Sequence, residues 1–170
     1  QSIVSGVKYP TLKSVLIDTE DPVSDENLES ALEYLQETLI AFSKSSLLVF
    51  IRPRDTKILE KILLFKNIEK IDGFILPKFS IRNADTFLEI LYDSEYKVMP
   101  SIEGEELFEQ TKLIELKNKL LKYKDKIPLV RFGLEDMLRQ LKMRRSCVDF
   151  IFDISVTYSV VGNFIAIFKC

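Results

Sequence analysis

The sequence predicts an α/β fold in which parallel strands alternate with helices, and two observations support this prediction. Short runs of β-branched and other apolar residues recur along the chain, and a longer segment with helical spacing of its apolar residues follows each run. The runs are nearly continuous in apolar residues, which is typical of strands buried on both faces of a sheet. Parallel strands joined by helices form either an open doubly wound sheet or a (β/α) barrel, and both architectures fit the pattern.

Six runs are predicted to be strands, and no change of composition or linker separates them. A complete barrel needs eight strand–helix units and about 250 residues, so about six units in 170 residues predict an incomplete barrel. We expect one partial barrel domain over residues 1–170. The predicted strands lie at residues 14–17, 47–51, 71–76, 97–99, 128–132 and 148–152.

Each predicted helix follows a strand. In the first, the apolar residues between Leu28 and Leu39 recur at helical spacing, and Ser24 is predicted to cap the amides of the first turn. Asp55 is predicted to cap the helix that starts at Thr56. The other helices are expected at residues 56–66, 83–91, 105–123 and 134–143, with a last one after Ser155.

Composition excludes several classes of site. The chain has no histidine, so catalytic triads, HExxH metal sites and zinc fingers with histidine ligands are excluded. A net charge of −2 argues against a general nucleic-acid surface or an anionic-membrane surface. No apolar run is long enough to cross a bilayer and no signal peptide is visible, so we expect a cytoplasmic protein with Cys147 and Cys170 as reduced thiols.

Charged residues follow the predicted strands, and the carboxyl ends of parallel strands face the side where ligands bind. Taken singly, a charge after a strand is more often a helix cap or a solvated loop residue, and we keep that interpretation for Asp55. Together, an acidic cluster and a cationic cluster exceed what caps require. The candidate site residues are Glu20, Asp21, Arg52, Lys78, Glu103 and Asp136.

Carboxylates without histidine are hard oxygen ligands, which favour Mg²⁺, or Mn²⁺ as an alternative, over zinc. Arginine offers a planar fork for a carboxylate or phosphate. This combination suits bond cleavage or formation next to a carbonyl, in an aldol or Claisen type of step, and would serve phosphoryl chemistry almost as well. The sequence has no P-loop and no dinucleotide-binding motif. Lys78 is predicted to bind substrate or form an ion pair, with a Schiff-base role as the weaker alternative.

Five segments, in the same order, resemble motifs of the citrate lyase beta-subunit and malyl-CoA lyase superfamily, also called the HpcH/HpaI aldolase group. Together they cover roughly residues 14–145. Residues 17–23 resemble its DLEDAV strand end, residues 50–55 its VRIN strand and residues 73–78 its GI-LPK strand. Residues 99–103 resemble its P-x-IET strand, and residues 131–137 its FGxxDL segment.

The resemblance implies a TIM barrel in which Glu103 and Asp136 hold Mg²⁺. It implies that Arg52 binds the substrate carboxylate or carbonyl and that Glu20 and Asp21 line the same pocket, while the role of Lys78 is less defined. The substrate class implied is a small carboxylate or an acyl-CoA, and a homo-oligomer is expected. Gly104 departs from the family, where a threonine is usual.

Residues 141–145 and the segment FIRPR look closest to the carbon–carbon bond lyase-like branch found with tellurium-resistance and stress-response genes. In residues 141–145 a basic stretch replaces the Gly-rich ending of the family. The expected first strand of the barrel is not visible before Ser14, and the chain ends about where the last would begin. Three explanations fit: the chain is a fragment, a neighbouring chain supplies the missing wall, or the protein is a degenerate, non-catalytic member. The alternative function is a binding or scaffold component of a stress-response assembly that turns nothing over.

Overall fold

A computed structural model describes residues 11–43, 46–148 and 150–169, and within them strands and helices alternate. The contacts divide the chain into two compact units, Gln1–Pro77 with Ile90–Met99, and Lys78–Glu89 with Pro100–Cys170. The strands are β1 (Ser14–Asp18), β2 (Leu48–Arg52), β3 (Gly73–Leu76), β4 (Lys97–Ile102) and β5 (Arg131–Phe132). The helices are α1 (Leu28–Ala41), α2 (Thr56–Leu63), α3 (Ala84–Ile90), α4 (Gln110–Leu121), α5 (Leu134–Gln140) and α6 (Ser155–Phe168).

The strand pairs with recorded register are parallel, and the strand order follows the chain order. In the first unit, β1 and β2 are in register from Ser14 opposite Leu48 to Asp18 opposite Arg52. In the second unit, Ser101 of β4 pairs with Arg131 of β5. Successive strands that run parallel need a crossover, and the helices provide it, as the alternating sequence pattern predicts.

In the first unit β2 and β3 are largely buried on both faces, which explains their nearly continuous apolar runs, whereas β1 is exposed at Ser14 and half-buried from Val15 to Asp18. Phe50 of β2, Ile75 of β3 and Met99 of β4 form one buried cluster, and Leu16 of β1 packs against it. Because side chains alternate along a strand, Ile51 points away from this cluster, and it is fully buried as well. Asp18 and Arg52 follow Leu16 and Phe50 by two residues, so both lie on the clustered face at the strand ends.

The second unit has its own apolar core. Helix α4 contacts α6, where the Nζ of Lys117 donates to the carbonyl of Ile167 at 2.8 Å. The rings of Phe132 on β5 and Phe164 on α6 meet edge to face at 5.3 Å between centroids. Other fully or almost fully buried side chains of this unit are Phe87, Leu113, Leu116, Met137 and Leu138.

Two helix starts test the predicted caps. The predicted Asp55 cap is confirmed, since the Ile58 amide donates to Asp55 Oδ1 at 2.9 Å. The predicted Ser24 cap is wrong, because a 3₁₀ turn at Asp25–Asn27 precedes α1. The Ser24 hydroxyl instead accepts from Asn27 Nδ2 at 2.9 Å.

The predicted sixth strand, residues 148–152, is wrong. Position 149 lies outside the described residues, and Ile151–Asp153 form a 3₁₀ turn. Val148 and Phe150 are 80% and 78% exposed, so the described part of the run is not the buried strand that its composition suggested. The described part of the chain therefore contains five of the six predicted strands.

Two other expectations concern membrane-spanning segments and the cysteines. Among the described residues, no helix is both long and apolar enough to span a membrane. Cys147 is an exposed free thiol, and Cys170 lies outside the described residues.

Candidate functional site

A cavity of about 190 Å³ in the second unit brings together three of the predicted site residues. Glu103 follows β4, Asp136 lies in the first turn of α5, and Lys78 follows β3. All three line this cavity, together with Gly104, Arg139 and Gln140.

Glu103 is the most firmly held of the three. It is 5% exposed, and its Oε1 accepts a hydrogen bond from the backbone amide of Lys78 at 2.5 Å. Its own carbonyl accepts from the Nε2 of Gln140 at 2.5 Å. A glycine at position 133 is needed here, since an added Cβ would lie 2.2 Å from the Cβ of Glu103. The carboxylate thus has one fixed place beside the cavity.

The amide that binds Glu103 belongs to a residue with unusual backbone geometry. Lys78 has a φ of 45°, in the left-handed region that costs a residue with a Cβ about 1 kcal/mol or more. The side chain of Asn83 supports this turn, because its Nδ2 donates to the Lys78 carbonyl at 3.0 Å and its Oδ1 accepts from the Ser80 amide at 2.8 Å. Strain that is held in place by its surroundings is common at functional sites.

Lys78 itself is exposed where it lines the cavity. A Schiff-base lysine is activated by desolvation in an apolar pocket. The exposure of Lys78 therefore favours the ion-pairing or substrate-binding interpretation.

Asp136 already has a cationic partner. Nη1 of Arg139, one helical turn later, lies 2.6 Å from Asp136 Oδ1. The Asp136 side chain is 21% exposed and that of Arg139 is 74% exposed. The guanidinium can therefore move into solvent, and the carboxylate stays accessible from the cavity.

Two nearby carboxylates do not line the cavity and have lysine partners. Glu105 pairs with Lys112 at 3.3 Å and with Arg82 at 3.2 Å. The hydrogen bond from Lys112 is the main cause that holds the pKa of Glu105 below its ordinary value. Glu109 lies 2.7 Å from the same lysine, and this hydrogen bond is the main cause that raises the pKa of Lys112. Glu103 and Asp136 are thus the carboxylates that face the cavity.

The donor set fits Mg²⁺ in kind and number. Mg²⁺ in proteins keeps several waters and is bound through one or two carboxylates, often with oxygens of the substrate. Glu103 and Asp136 supply two carboxylates to one cavity. The described residues contain no group of three or more acidic or cysteine side chains suited to a metal, so a fully protein-made cage is not formed by them.

The first unit holds the predicted arginine, Arg52. Nε of Arg52 donates to Asp18 Oδ1 at 2.9 Å, and its Nη2 binds the other oxygen of the same carboxylate. Nη1 lies 3.0 Å from Oε2 of Glu20, whose side chain is 2% exposed. The hydroxyl of Thr19 donates to the Arg52 carbonyl at 2.8 Å and fixes the end of β2. Arg52 is thus a planar fork held between two carboxylates of its own unit.

Asp21 differs from Glu20 in its surroundings. It is exposed in the turn that follows β1. Arg54 stabilises this turn by donating to the carbonyl of Val23 and pairing with Asp25. The contact with Arg52 is made by Glu20, whereas Asp21 lies in the exposed turn.

Sequence reasoning missed three polar residues that shape the cavity. Arg139 could have been found, because residues three apart on a helix face each other and Asp136 precedes it by three. Gln140 acts through the backbone carbonyl of Glu103, a residue distant in the sequence, which no local pattern indicates. Asn83 acts within its own turn, on the Lys78 carbonyl five residues before it.

The model of one protein family matches the whole chain, residues 1–170, and is described as carbon–carbon bond lyase of the TIM-barrel fold. No curated protein matches the sequence.

Solved structures are similar to the chain in fold. The protein CitE of Mycobacterium tuberculosis, in complex with magnesium, acetoacetate and coenzyme A, is 18% identical with a TM-score of 0.61, over 92% of this chain and 53% of that chain. The same protein with magnesium and pyruvate is 18% identical with a TM-score of 0.62, over 92% of this chain and 59% of that chain. Malate synthase of Haloferax volcanii is 13% identical with a TM-score of 0.59, over 78% of this chain and 45% of that chain. The chain thus spans about half the length of these proteins.

Proposed function

Because the chain belongs to the carbon–carbon bond lyase family of the TIM-barrel fold, we propose that it takes part in Mg²⁺-dependent cleavage or formation of a carbon–carbon bond next to a carbonyl. The membership confirms the predicted resemblance and the predicted fold class, an incomplete TIM barrel with parallel strands. The proposed substrate is a small carboxylate or an acyl-CoA. CitE, which shares the fold, is described with magnesium, acetoacetate, pyruvate and coenzyme A.

The observation that carries the proposal is the shared cavity of Glu103 and Asp136. The two carboxylates are far apart in sequence, since Glu103 directly follows β4 and Asp136 lies in α5. The fold nevertheless brings both to one cavity, which a lysine and an arginine also line. We propose that these two carboxylates hold the Mg²⁺.

A bound Mg²⁺ would act as a Lewis acid toward a carbonyl oxygen. The residues of the chain would orient the metal ligand and bind the substrate. The amide of Lys78 binds the carboxylate of Glu103, and the side chain of Gln140 binds its backbone carbonyl. Glu103 is therefore already oriented when a cation arrives. The ammonium group of Lys78 supplies a positive charge at the same cavity for an anionic substrate group.

In the first unit we propose Arg52 as a group that binds the carboxylate of a substrate. Its guanidinium has the planar, bidentate geometry that carboxylates prefer, and it already binds Asp18 in that way. An incoming carboxylate would have to replace Asp18 or Glu20 as a partner. Asp21, exposed beside them, is proposed to line the path of the substrate.

Titration with Mg²⁺ by calorimetry and thermal unfolding tests the metal site. The intact protein should bind Mg²⁺ or Mn²⁺ and unfold at a higher temperature with it. Glu103→Ala and Asp136→Ala should each abolish this stabilisation, whereas Glu115→Ala, which removes an exposed carboxylate of α4, should keep it. If the intact protein binds neither cation, the proposal loses its basis.

A second candidate function is a binding or scaffold component of a stress-response system of the tellurium-resistance type. The observation that favours it is that Asp136 already pairs with Arg139 and Glu103 with an amide, so the cavity can persist without a metal. Incubation with malyl-, citramalyl- and citryl-thioesters separates the two functions, since only a lyase would cleave one of them. A cytoplasmic location and a homo-oligomeric state belong to both proposals.

A further inference from the structure

A second cavity in the second unit, of about 700 Å³, is lined by an unusual concentration of positive charge. Arg139, Lys142, Arg144 and Arg145 line it, against a single carboxylate, Glu135. The chain as a whole carries a net charge of −2. The local excess of cations is therefore a property of this place and not of the protein surface in general.

The backbone builds this cavity through a defined turn at the end of α5. The amide of Met143 donates to the carbonyl of Leu138 at 2.9 Å, and the amide of Lys142 donates to the carbonyl of Arg139 at 3.0 Å. These two bonds form a Schellman motif, in which the residue at the turn has a left-handed conformation and is usually glycine. Here it is Lys142, with a φ of 54°. The turn reverses the chain, so the arginines after it and Arg139 before it line one concavity.

The choice of residue at the turn is informative. Lysine costs about 1 kcal/mol or more in the left-handed region, where glycine costs nothing. A chain that accepts the strain and adds a cation has gained charge at the cavity in exchange for stability, a pattern that is typical of functional sites.

We propose that this basic cavity binds the phosphate groups of a small molecule, with a diphosphate or similar group as the ligand. Arginine forks match phosphate oxygens in a bidentate manner, and three arginines with one lysine supply enough donors for several oxygens. The volume of the cavity is within the range of small-molecule sites. Its proposed ligand is distinct from the Mg²⁺ proposed for the neighbouring cavity.

Arg139 gives the proposal a link to the candidate lyase site, because it lines both cavities. A substrate could place phosphate groups in the basic cavity while its reacting end lies at Glu103 and Asp136. This link rests on the proposed function, whereas phosphate binding itself does not.

Calorimetric titration with pyrophosphate in metal-free buffer tests the site without any contribution from the metal. The protein should bind pyrophosphate with a dissociation constant below about 1 mM, and the affinity should fall as salt is added. Arg144→Gln/Arg145→Gln should bind at least tenfold more weakly. Lys124→Gln/Lys126→Gln, which removes the same charge from another part of the second unit, should bind within twofold of the unchanged protein.

Cys147 provides a local measurement, because this exposed thiol also lines the basic cavity. Saturating pyrophosphate should slow its alkylation by iodoacetamide, followed by mass spectrometry of the peptide that contains it. This measurement needs no substitution, so it stands even if the arginine variant does not fold.

Three results would overturn the proposal. They are no pyrophosphate binding by the unchanged protein, an equal loss in the two double variants, and tighter binding of a single-stranded oligonucleotide through the same arginines. Loss of Mg²⁺ binding in Glu103→Ala with normal pyrophosphate binding would leave the phosphate site intact. The two proposals can therefore fail independently.

Discussion

At the scale of single residues, two neighbours determine the position of Glu103: Lys78 donates a hydrogen bond to it, and Gly133 has no side chain to collide with it. Its carboxylate takes a hydrogen bond from the Lys78 amide, which is oriented by a left-handed backbone. Gly133 makes room for it, because any Cβ at that position would overlap the Glu103 side chain. In the segment that resembles FGxxDL, the glycine therefore has a steric role in addition to the role proposed for the acidic residue.

Gly133→Ala is expected to destabilise the protein by about 1–3 kcal/mol, the usual range for overpacking. The added methyl would lie 2.2 Å from the Cβ and 2.6 Å from Oε2 of Glu103, so the carboxylate has to move. Urea unfolding followed by circular dichroism measures the loss. Gly162→Ala is the control, since a Cβ there meets nothing within 4 Å and a helix interior favours alanine over glycine. An unchanged stability in Gly133→Ala would show that the close approach is not rigid.

In the proposed metal site, Arg139 competes with the cation for Asp136. Removing the guanidinium in Arg139→Gln should strengthen Mg²⁺ binding by about threefold, in line with the modest worth of an ion pair between partly exposed groups. Calorimetry measures the dissociation constant. Arg82→Gln, which removes an equally exposed arginine that pairs with Glu105, should leave the constant unchanged. Weaker Mg²⁺ binding in Arg139→Gln would show that the arginine orients Asp136 and does not compete for it.

At the scale of secondary structure, the backbone strain lies just beyond the ends of elements. Lys78 follows β3 and Lys142 follows α5, and both have left-handed backbones at a cavity. Among the described residues other than glycine, the remaining one with a positive φ is Asn67. Asparagine tolerates this conformation far better than lysine does. The strain is therefore concentrated at the two cavities.

Lys142→Gly should raise the free energy of unfolding by about 1 kcal/mol, because it relieves the left-handed lysine in the Schellman motif. Thermal or urea unfolding measures the gain. In the matched variant Asn67→Gly, where φ is 68°, the gain should be clearly smaller. A loss of stability in Lys142→Gly would mean that contacts of the lysine side chain outweigh the strain of its backbone.

The sequence pattern predicted the elements that have apolar runs and buried side chains. It failed where strand pairing or backbone geometry determines the secondary structure. The strands β2, β3 and β4 were found because most of their residues are buried, and the half-buried β1 was found from its apolar run. The predicted fourth strand ended at Met99, and β4 extends through Pro100 to Ile102. Pairing of β4 with β5 begins only after this proline, at Ser101. Residues 148–152 have a strand-like composition, but composition does not report whether a neighbouring strand is available.

The candidate site residues were predicted from their positions after the strands. Strand ends in a parallel fold face one side, so the candidate carboxylates and cations could be selected from the sequence alone. The pairing of Arg139 with Asp136 is local and was predictable in principle. The hydrogen bond of Gln140 to the carbonyl of Glu103, 37 residues away, depends on tertiary structure and was not.

At the scale of the whole molecule, the two compact units are not two consecutive stretches of chain. The first unit takes in Ile90–Met99 after the second has already received Lys78–Glu89. Strand β4 belongs to both, with Lys97–Met99 in the first unit and its remaining residues in the second. Neither unit can be cut from the chain without breaking a strand. This connectivity supports the prediction of a single domain, which stays a prediction.

A single domain should unfold in one cooperative transition, and a pair of core substitutions tests whether it does. Leu59→Ala removes a fully buried side chain of the first unit and Leu116→Ala one of the second. Each should cost about 2–5 kcal/mol. If the units unfold together, each variant shifts the whole urea transition, seen by circular dichroism, to lower concentration with an unchanged slope. If they unfold separately, each variant moves only part of the signal and the curve becomes biphasic, which would contradict the single-domain prediction.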